Sequence, residues 1–194
     1  MTKTFYRSLI CLGVAGLLSF AAAQPNQGSG SAMGTSSRLS PSDQKFIKEA
    51  AEGGMAEVQL GKLAVQKASS DDVKRFGQRM VDDHTKANNK LKDVAGSLGV
   101  TLPQHLNAQD EATKERLSQL SGDQFDKAYM RDMVKDHKAD VAAFRTESNN
   151  GRDASIKSFA AQALPTLRDH LKDAQTIEPK VLQARANTAP KSSQ

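Results

Sequence analysis

Between residues 71 and 98, apolar side chains recur at intervals of three and four, which is the spacing of an α-helix with one buried face. The series is Val73, Gly77, Met80, His84, Ala87, Leu91, Val94 and Leu98. His84 occupies a position that normally holds a leucine. The segment therefore predicts a packed helix that carries an imidazole into its core.

Three further segments repeat this pattern, and each places one ionisable side chain among apolar ones. Their series are Phe46, Ala50, Gly53, Glu57, Leu60 and Ala64; then Met130, Met133, His137, Val141 and Phe144; then Ile156, Ala160, Ala163, Leu167, His170, Ala174 and Ile177. Few strand-favouring runs interrupt them, so the sequence predicts an all-α fold.

Capping signals divide the region into four long helices and one short helix. Ser40, Pro41 and Asp43 are typical of a helix start, and Gly99 of a left-handed helix end. The predicted helices cover about 41–68, 70–98, 107–120, 122–150 and 153–185. Pro165 is expected to bend the last helix, and Pro179 to break its end.

The connection between the second and third long helices contains the short helix, which favours a four-helix bundle with one long crossover. An up-down-up-down bundle is the alternative. At a rise of about 1.5 Å per residue, Glu57 and His84 lie at similar depths below the turn between their helices. His137 reaches the same depth and His170 lies about one turn deeper, and the four side chains are expected to converge.

The two ends of the chain differ from the helical region. Lys3 and Arg7 precede an apolar run and three alanines, which predicts a signal peptide over residues 1–23 and a periplasmic or outer-envelope location. The polar composition predicts a flexible leader over 24–39 and a disordered tail over 187–194, leaving 40–186 as the bundle domain.

Cysteine and charge content exclude several classes of protein. Cys11 is the only cysteine and lies in the signal peptide, so disulfides and thiolate metal sites are excluded from the mature chain. Without Lys3 and Arg7, the 27 basic residues become 25 against 22 acidic ones, a net charge of +3. These charges are interspersed, so nucleic acid is not an expected partner, and a weak association with the envelope surface stays open.

Three imidazoles and a carboxylate suit one zinc, copper, iron or manganese ion. The candidate ligands are Glu57, His84, His137 and His170. An aspartate precedes each of these histidines, and from a neighbouring helix such a carboxylate holds the second ring nitrogen of a ligand. These supporting residues are Asp83, Asp136 and Asp169.

Two interpretations compete with a metal site. The buried histidines form a structural polar layer that fixes helix register, or a layer that titrates near neutral pH. No catalytic or organic cofactor-binding residue is identified, so enzymatic activity is not expected.

Four blocks carry a family resemblance: GGMAEVQLGKLA (53–64), VKRFGQRMVDDH (73–84), FDKAYMRDMVKDH (125–137) and SFAAQALPTLRDHL (158–171). Over residues 41–178 the chain resembles an exported bacterial "domain of unknown function" family, whose members are often labelled outer membrane or periplasmic proteins. The resemblance implies a ferritin-like bundle with a crossover. It implies no activity, because none is assigned to the family.

Ferritin-like di-iron proteins carry Glu-x-x-His motifs on two of their helices. Here Val81, Val134 and Leu167 stand three residues before the candidate histidines, so a di-iron centre is disfavoured. The sequence predicts an exported helical bundle with a structural, interaction or stress-related role. The alternative is a periplasmic protein that binds one metal ion through its core histidines.

Export gives the first testable prediction. Expressed in a bacterial host, the protein should be cleaved after Ala23, because small residues follow the apolar run there. N-terminal sequencing of the purified protein measures this directly. A mature chain that still starts at Met1 would contradict the prediction.

Overall fold

The computed structural model describes residues 39–183, and within them the chain is all-α, as predicted. Its helices are α1 (Pro41–Lys67), α2 (Asp71–Ser97), α3 (Ala108–Ser118), α4 (Gly122–Asn150) and α5 (Ala154–Gln183). These bounds lie within two residues of the sequence predictions wherever both ends are described. The predicted signal peptide, tail and most of the leader lie outside the described residues.

Local sequence signals account for several helix ends. The Ser40 hydroxyl accepts a hydrogen bond from the Asp43 N–H, which caps α1 as predicted. Asn107 caps α3 in the same way. Gly99 follows α2 with a φ of 68°, a left-handed conformation that glycine adopts without strain.

The four long helices form a bundle with one long crossover. α1 and α2 are antiparallel neighbours, as are α4 and α5, and α2 also packs against α5 and α1 against α4. Hydrogen bonds join the start of α2 to the start of α4, so these two helices run in the same direction. The segment containing α3 therefore spans the length of the bundle. This connectivity is that of ferritin-like folds, and it excludes the up-down-up-down alternative.

A buried carboxylate of α4 caps the turn between α1 and α2. Asp126 accepts hydrogen bonds from the Ser69 and Ser70 N–H groups at 3.2 Å and 2.8 Å, and from the Ser69 hydroxyl at 2.6 Å. The second hairpin thus satisfies backbone donors of the first.

A carboxylate of α1 caps the opposite turn, between α4 and α5. Asp43 is buried and accepts from the N–H groups of Arg152 and Asp153 at 3.1 Å and 3.0 Å. Burial opposes its ionisation, but these hydrogen bonds hold the pKa of Asp43 below its usual value. Each hairpin therefore caps the turn of the other, at opposite ends of the bundle.

The core consists of two apolar clusters. The cluster at the α1–α2 turn contains Leu60, Phe76, Met80, Leu117, Phe125, Tyr129, Met133 and Ile177, among others. The cluster at the other end contains Phe46, Ile47, Leu91, Ile156 and Phe159, among others. Along each long helix, Glu57, His84, His137 or His170 lies between the residues of the two clusters. The polar side chains thus separate two apolar halves of the core.

The end of α5 differs from the prediction, because the helix continues through Pro179 to Gln183. Proline removes the hydrogen bond to the carbonyl four residues earlier, here Gln175. Both residues are exposed, where solvent can hydrogen-bond that carbonyl, while Ile177 and Val181 hold the helix against the core.

Two glycines let α1 and α2 approach closely. A Cβ atom added at Gly61 would lie 2.6 Å from the carbonyl oxygen of Gly77, and one at Gly77 would lie 2.6 Å from the Cβ of Ala64. Both contacts are too short for a carbon atom, and both partners are rigid, one a backbone oxygen and the other a Cβ atom. The close crossing of α1 and α2 therefore requires glycine at both positions.

Gly61→Ala should lower the free energy of unfolding by about 1–3 kcal/mol, because the added methyl group overpacks the crossing. Gly96→Ala is the matched control on α2, since a Cβ there meets nothing within 4 Å. It should raise the stability by about 0.5–1 kcal/mol through helix propensity. Urea denaturation measures both, and equal effects would contradict the close crossing.

Candidate metal centre

His84, His137 and His170, called here the histidine triad, meet in the middle of the bundle. Their ring centres are 5.8 Å apart for His84 and His137 and 5.3 Å apart for the other two pairs. One nitrogen of each ring lies within 4.8 Å of a nitrogen of the other two. The rings are at most 7% exposed. The structure thus brings together the three histidines that the helical spacing placed in the core.

A backbone carbonyl fixes the orientation of His137. Its Nδ1 lies 3.0 Å from the carbonyl oxygen of Met133, one turn earlier on α4. A carbonyl only accepts hydrogen bonds, so Nδ1 carries the proton and Nε2 keeps its lone pair. Nε2 is buried and has no hydrogen-bond partner.

Asp83 fixes the orientation of His170 from the neighbouring helix. His170 Nε2 lies 3.0 Å from the Asp83 carboxylate, as the sequence predicted for a supporting aspartate. Partial burial raises the pKa of Asp83, but hydrogen bonds from His170 and Arg79 leave it below its usual value. The ionised carboxylate accepts the Nε2 proton, so the lone pair of His170 is on Nδ1, which is buried and unpartnered.

The third ring also presents a nitrogen without a partner. His84 Nε2 is buried and accepts or donates no hydrogen bond. Each member of the triad therefore has one unsatisfied nitrogen in a site that contains two other imidazoles. Unpaired buried polar atoms are rare in folded proteins and call for an explanation such as an ion.

Burial keeps the three imidazoles neutral. Desolvation, reinforced by the other two histidines, lowers the pKa of His84 to about 3. Desolvation and His170 lower the pKa of His137 to about 4, against the effect of the Met133 carbonyl. Burial also lowers the pKa of His170, although Asp83 opposes it. Neutral imidazole is the form that binds metals. At neutral pH the triad is therefore in the protonation state that metal binding requires.

Glu57 is buried beside the triad, on its outer side. Its Oε1 lies 3.8 Å from His137 Nδ1, the nitrogen that already donates to Met133, and its Oε2 has no partner. Burial, followed by the charges of Asp140 and Asp136, raises the pKa of Glu57 well above its usual value. Whether Glu57 is a metal ligand therefore stays a prediction.

The other two supporting aspartates lie elsewhere. Asp136 lines a cavity between α1, α3 and α4, and Asp169 is exposed. Neither makes a hydrogen bond to a histidine within the described part of the chain. The three Asp-His pairs of the sequence are therefore not equivalent, and Asp83 alone contacts the triad.

A cavity of about 400 Å³, called here the inner cavity, adjoins the triad. His84 and His170 form part of its wall, together with Phe46, Phe144 and Phe159. The cavity stays open because small residues of all four long helices line it and do not fill it. They are Ala50, Gly53, Gly54, Ala87, Ala139, Ala143 and Ala163. A ligand bound to the triad would therefore have room beside it.

Sequence patterns did not indicate Tyr129 or Asp140 as neighbours of the site. The Tyr129 hydroxyl is buried without a partner, and burial and the Glu57 charge raise its pKa well above the usual value. Burial and the charge of Asp136 raise the pKa of Asp140 to about 7. Asp140 lies three residues after His137, a spacing that places both on adjacent parts of α4.

Connectivity and site together define a four-helix bundle with one crossover and a buried cluster of three imidazoles. A family model described as "Domain of unknown function (DUF4142)" matches residues 28–177. The chain belongs to this family, which confirms the predicted resemblance to a family of unknown function.

A solved structure shares the fold. It is titled "Crystal structure of DUF305 fragment from Deinococcus radiodurans" and matches with a TM-score of 0.64 at 15% identity, over 73% of this chain and 98% of the fragment. No curated protein matches the chain. Among residues 39–183, no helix has the length and apolar character needed to span a membrane.

Acid should destabilise the metal-free protein through the triad. The pKa of His84 is about 6.5 when unfolded and about 3 when folded, so between these values the unfolded chain binds the extra proton. This contribution to stability is complete above about pH 6.5 and is lost as the pH falls. His84→Leu should reduce the slope of unfolding free energy against pH by up to about 1.4 kcal/mol per pH unit.

Urea denaturation of both proteins between about pH 4 and pH 7 measures the difference in slope. Titrating groups that do not interact with His84 contribute equally to the two proteins and cancel in the comparison. Parallel curves would show that folding does not lower the pKa of His84.

Proposed function

We propose that this protein binds one transition-metal ion through His84, His137 and His170. The observation that carries the proposal is the three unpartnered nitrogens, Nε2 of His84, Nε2 of His137 and Nδ1 of His170. Two of them hold a lone pair because the other ring nitrogen keeps the proton and donates it in a hydrogen bond to Met133 or Asp83. This is the arrangement that outer partners impose on histidine ligands.

Ring spacing supports a single ion. Three imidazoles that bind one ion at about 2.1 Å in tetrahedral directions have ring centres about 5.2 Å apart. The observed separations of 5.3, 5.3 and 5.8 Å differ little from that value. One nitrogen of each ring lies within 4.8 Å of the others, against about 3.4 Å on one tetrahedral ion, so binding would draw the three rings together.

A purely structural polar layer accounts less well for these contacts. Such a layer stabilises a fold when its members satisfy one another by hydrogen bonds, and an unmade buried hydrogen bond costs about 1–3 kcal/mol. The triad makes outward hydrogen bonds and none between its rings. If the protein binds no metal ion, the structural role or the pH-sensing role is favoured instead.

The donor set narrows the choice of ion. Three neutral imidazoles suit zinc and copper in particular, and iron or manganese less well without carboxylates. The ligand-type cluster within residues 39–183 contains no carboxylate, so it does not fit a di-iron centre. Three protein ligands leave a fourth position, and the inner cavity gives space for water or a small ligand there.

The proposed compartment is the periplasm or outer envelope, on the basis of residues 1–23. Copper and zinc bind nitrogen ligands strongly, so the role that we infer for the triad is to hold or buffer such an ion. The proposed function is reversible metal binding, and it includes no chemical reaction.

Zinc or copper at about 100 times the dissociation constant should stabilise the wild type by about 2.7 kcal/mol. For a domain of this size the melting temperature should rise by about 5–10 °C. Replacing any one triad histidine by Gln should weaken binding more than about 100-fold, since loss of an outer partner alone weakens it by 10–100-fold. Calorimetric titration should show one ion per chain.

His105→Gln is the matched control, because His105 is exposed on the crossover. Asp83→Asn tests the support of His170: the amide can donate to Nε2, which moves the ring proton to Nδ1 and should weaken binding about 10–100-fold. Glu57→Gln tests the predicted fourth ligand. The proposal fails if the wild type binds no ion, or if His105→Gln loses as much affinity as the triad variants.

A further inference from the structure

A second cavity, called here the acidic cavity, lies between α1, α3 and α4 and has a volume of about 600 Å³. Seven carboxylates line it, against two basic side chains, Arg116 and Lys135. The acidic residues are Glu49, Glu52, Glu57, Asp110, Asp132, Asp136 and Asp140. Three of the seven have a cationic partner, because Arg116 pairs with Asp132, Lys45 with Glu49 and Lys48 with Glu52. The other four, Glu57, Asp110, Asp136 and Asp140, form no ion pair with a lysine or arginine within residues 39–183, and burial and neighbouring carboxylates raise the pKa of each. A cation bound in the cavity would relieve this repulsion.

Glu57 forms the inner end of this cavity. Its side chain is 4% exposed, and its Oε2 atom has no hydrogen-bond partner although it is buried. Its other oxygen, Oε1, lies 3.8 Å from His137 of the triad. A buried carboxyl group with an unpartnered oxygen thus lies between the acidic cavity and His137, a proposed metal ligand.

The acidic cavity and the inner cavity share part of their walls. Glu49, Gly53, Ala139 and Asp140 line both, and all four belong to α1 or α4. Two of them have very small side chains, and a Cβ atom added at Gly53 would meet nothing within 4 Å. The two cavities therefore adjoin at these four residues, and the space beside Gly53 is open.

We propose that the acidic cavity binds hydrated divalent cations and passes them between α1 and α4, beside Gly53 and Asp140, to the histidine triad. The proposal rests on the metal-binding function proposed above and assigns the acidic residues to cation entry. The triad itself is neutral and buried, so it exerts little attraction on a cation in solution. Carboxylates in a cleft concentrate cations and raise association rates by 10–10³-fold.

Two properties of the cavity suit entry rather than tight binding. Its carboxylates are spread over three helices, and they do not join the close group of ligand atoms that the triad forms. A cation there keeps most of its water and stays exchangeable. After the cation passes Gly53, the imidazole nitrogens of the triad replace its water ligands.

The charge test uses Asp136→Asn/Asp140→Asn, which keeps side-chain shape and removes two carboxylates. Zinc association, followed by stopped flow with a chromophoric indicator, should slow at least about tenfold, and its dependence on ionic strength should become weaker. Dissociation, measured by chelator challenge, should change less than twofold. Asp82→Asn/Asp93→Asn is the matched control, because these exposed residues of α2 line neither cavity.

The steric test uses Gly53→Leu, whose side chain should fill the shared boundary. It should slow association and dissociation by the same factor, at least about tenfold, and leave the dissociation constant unchanged. Gly96→Leu is the control for the effect of leucine on a helix, because Gly96 is also free of close contacts. Circular dichroism checks that each variant is folded.

The outcomes separate this inference from the proposed function. If the wild type binds zinc through the triad but neither set of variants changes the association rate, cation entry through the acidic cavity is wrong and metal binding stands. If Gly53→Leu alone slows exchange, the route is right and the role of the charges is wrong. If the wild type binds no zinc, both proposals fail.

Discussion

Two buried aspartates set the axial register of the two helical hairpins relative to each other. The position of every core side chain depends on that register. Asp126 of the second hairpin caps the turn of the first, and Asp43 of the first caps the turn of the second. Bonds at both ends of the bundle prevent one hairpin from sliding along the other. A shift by one turn would be about 5.4 Å and would separate His84 from the histidines of the second hairpin.

Once this axial register is fixed, the protonation of the histidine triad decides which of its nitrogens can bind a cation. Three imidazoles confined in an apolar core repel each other's protons and are desolvated, so they stay neutral. The bonds to Met133 and Asp83 then decide which nitrogen of two rings keeps its lone pair. The proposed metal binding thus depends on atoms outside the ligand set, one of them in the backbone.

Much of this arrangement was predictable because helical periodicity is local. The interval of three and four residues placed His84, His137 and His170 in the core, and their convergence follows from helix lengths. The aspartates before them were harder to place, because a side chain on the flank of a helix depends on what packs there. α5 lies next to Asp83, the acidic cavity next to Asp136, and solvent next to Asp169. The acidic cavity itself depends on where the crossover lies, and no periodic pattern encodes that.

The division of the triad between the hairpins has a consequence for the order of folding. Helical hairpins form from contacts that are close along the chain, and such contacts form early, whereas contacts across a long connection form late. His84 belongs to the first hairpin, and His137 and His170 to the second, beyond the crossover. A nascent chain would therefore hold its histidines apart until the hairpins dock. A cation taken up by all three at that stage would slow the reverse step, separation of the hairpins, more than it would speed their assembly.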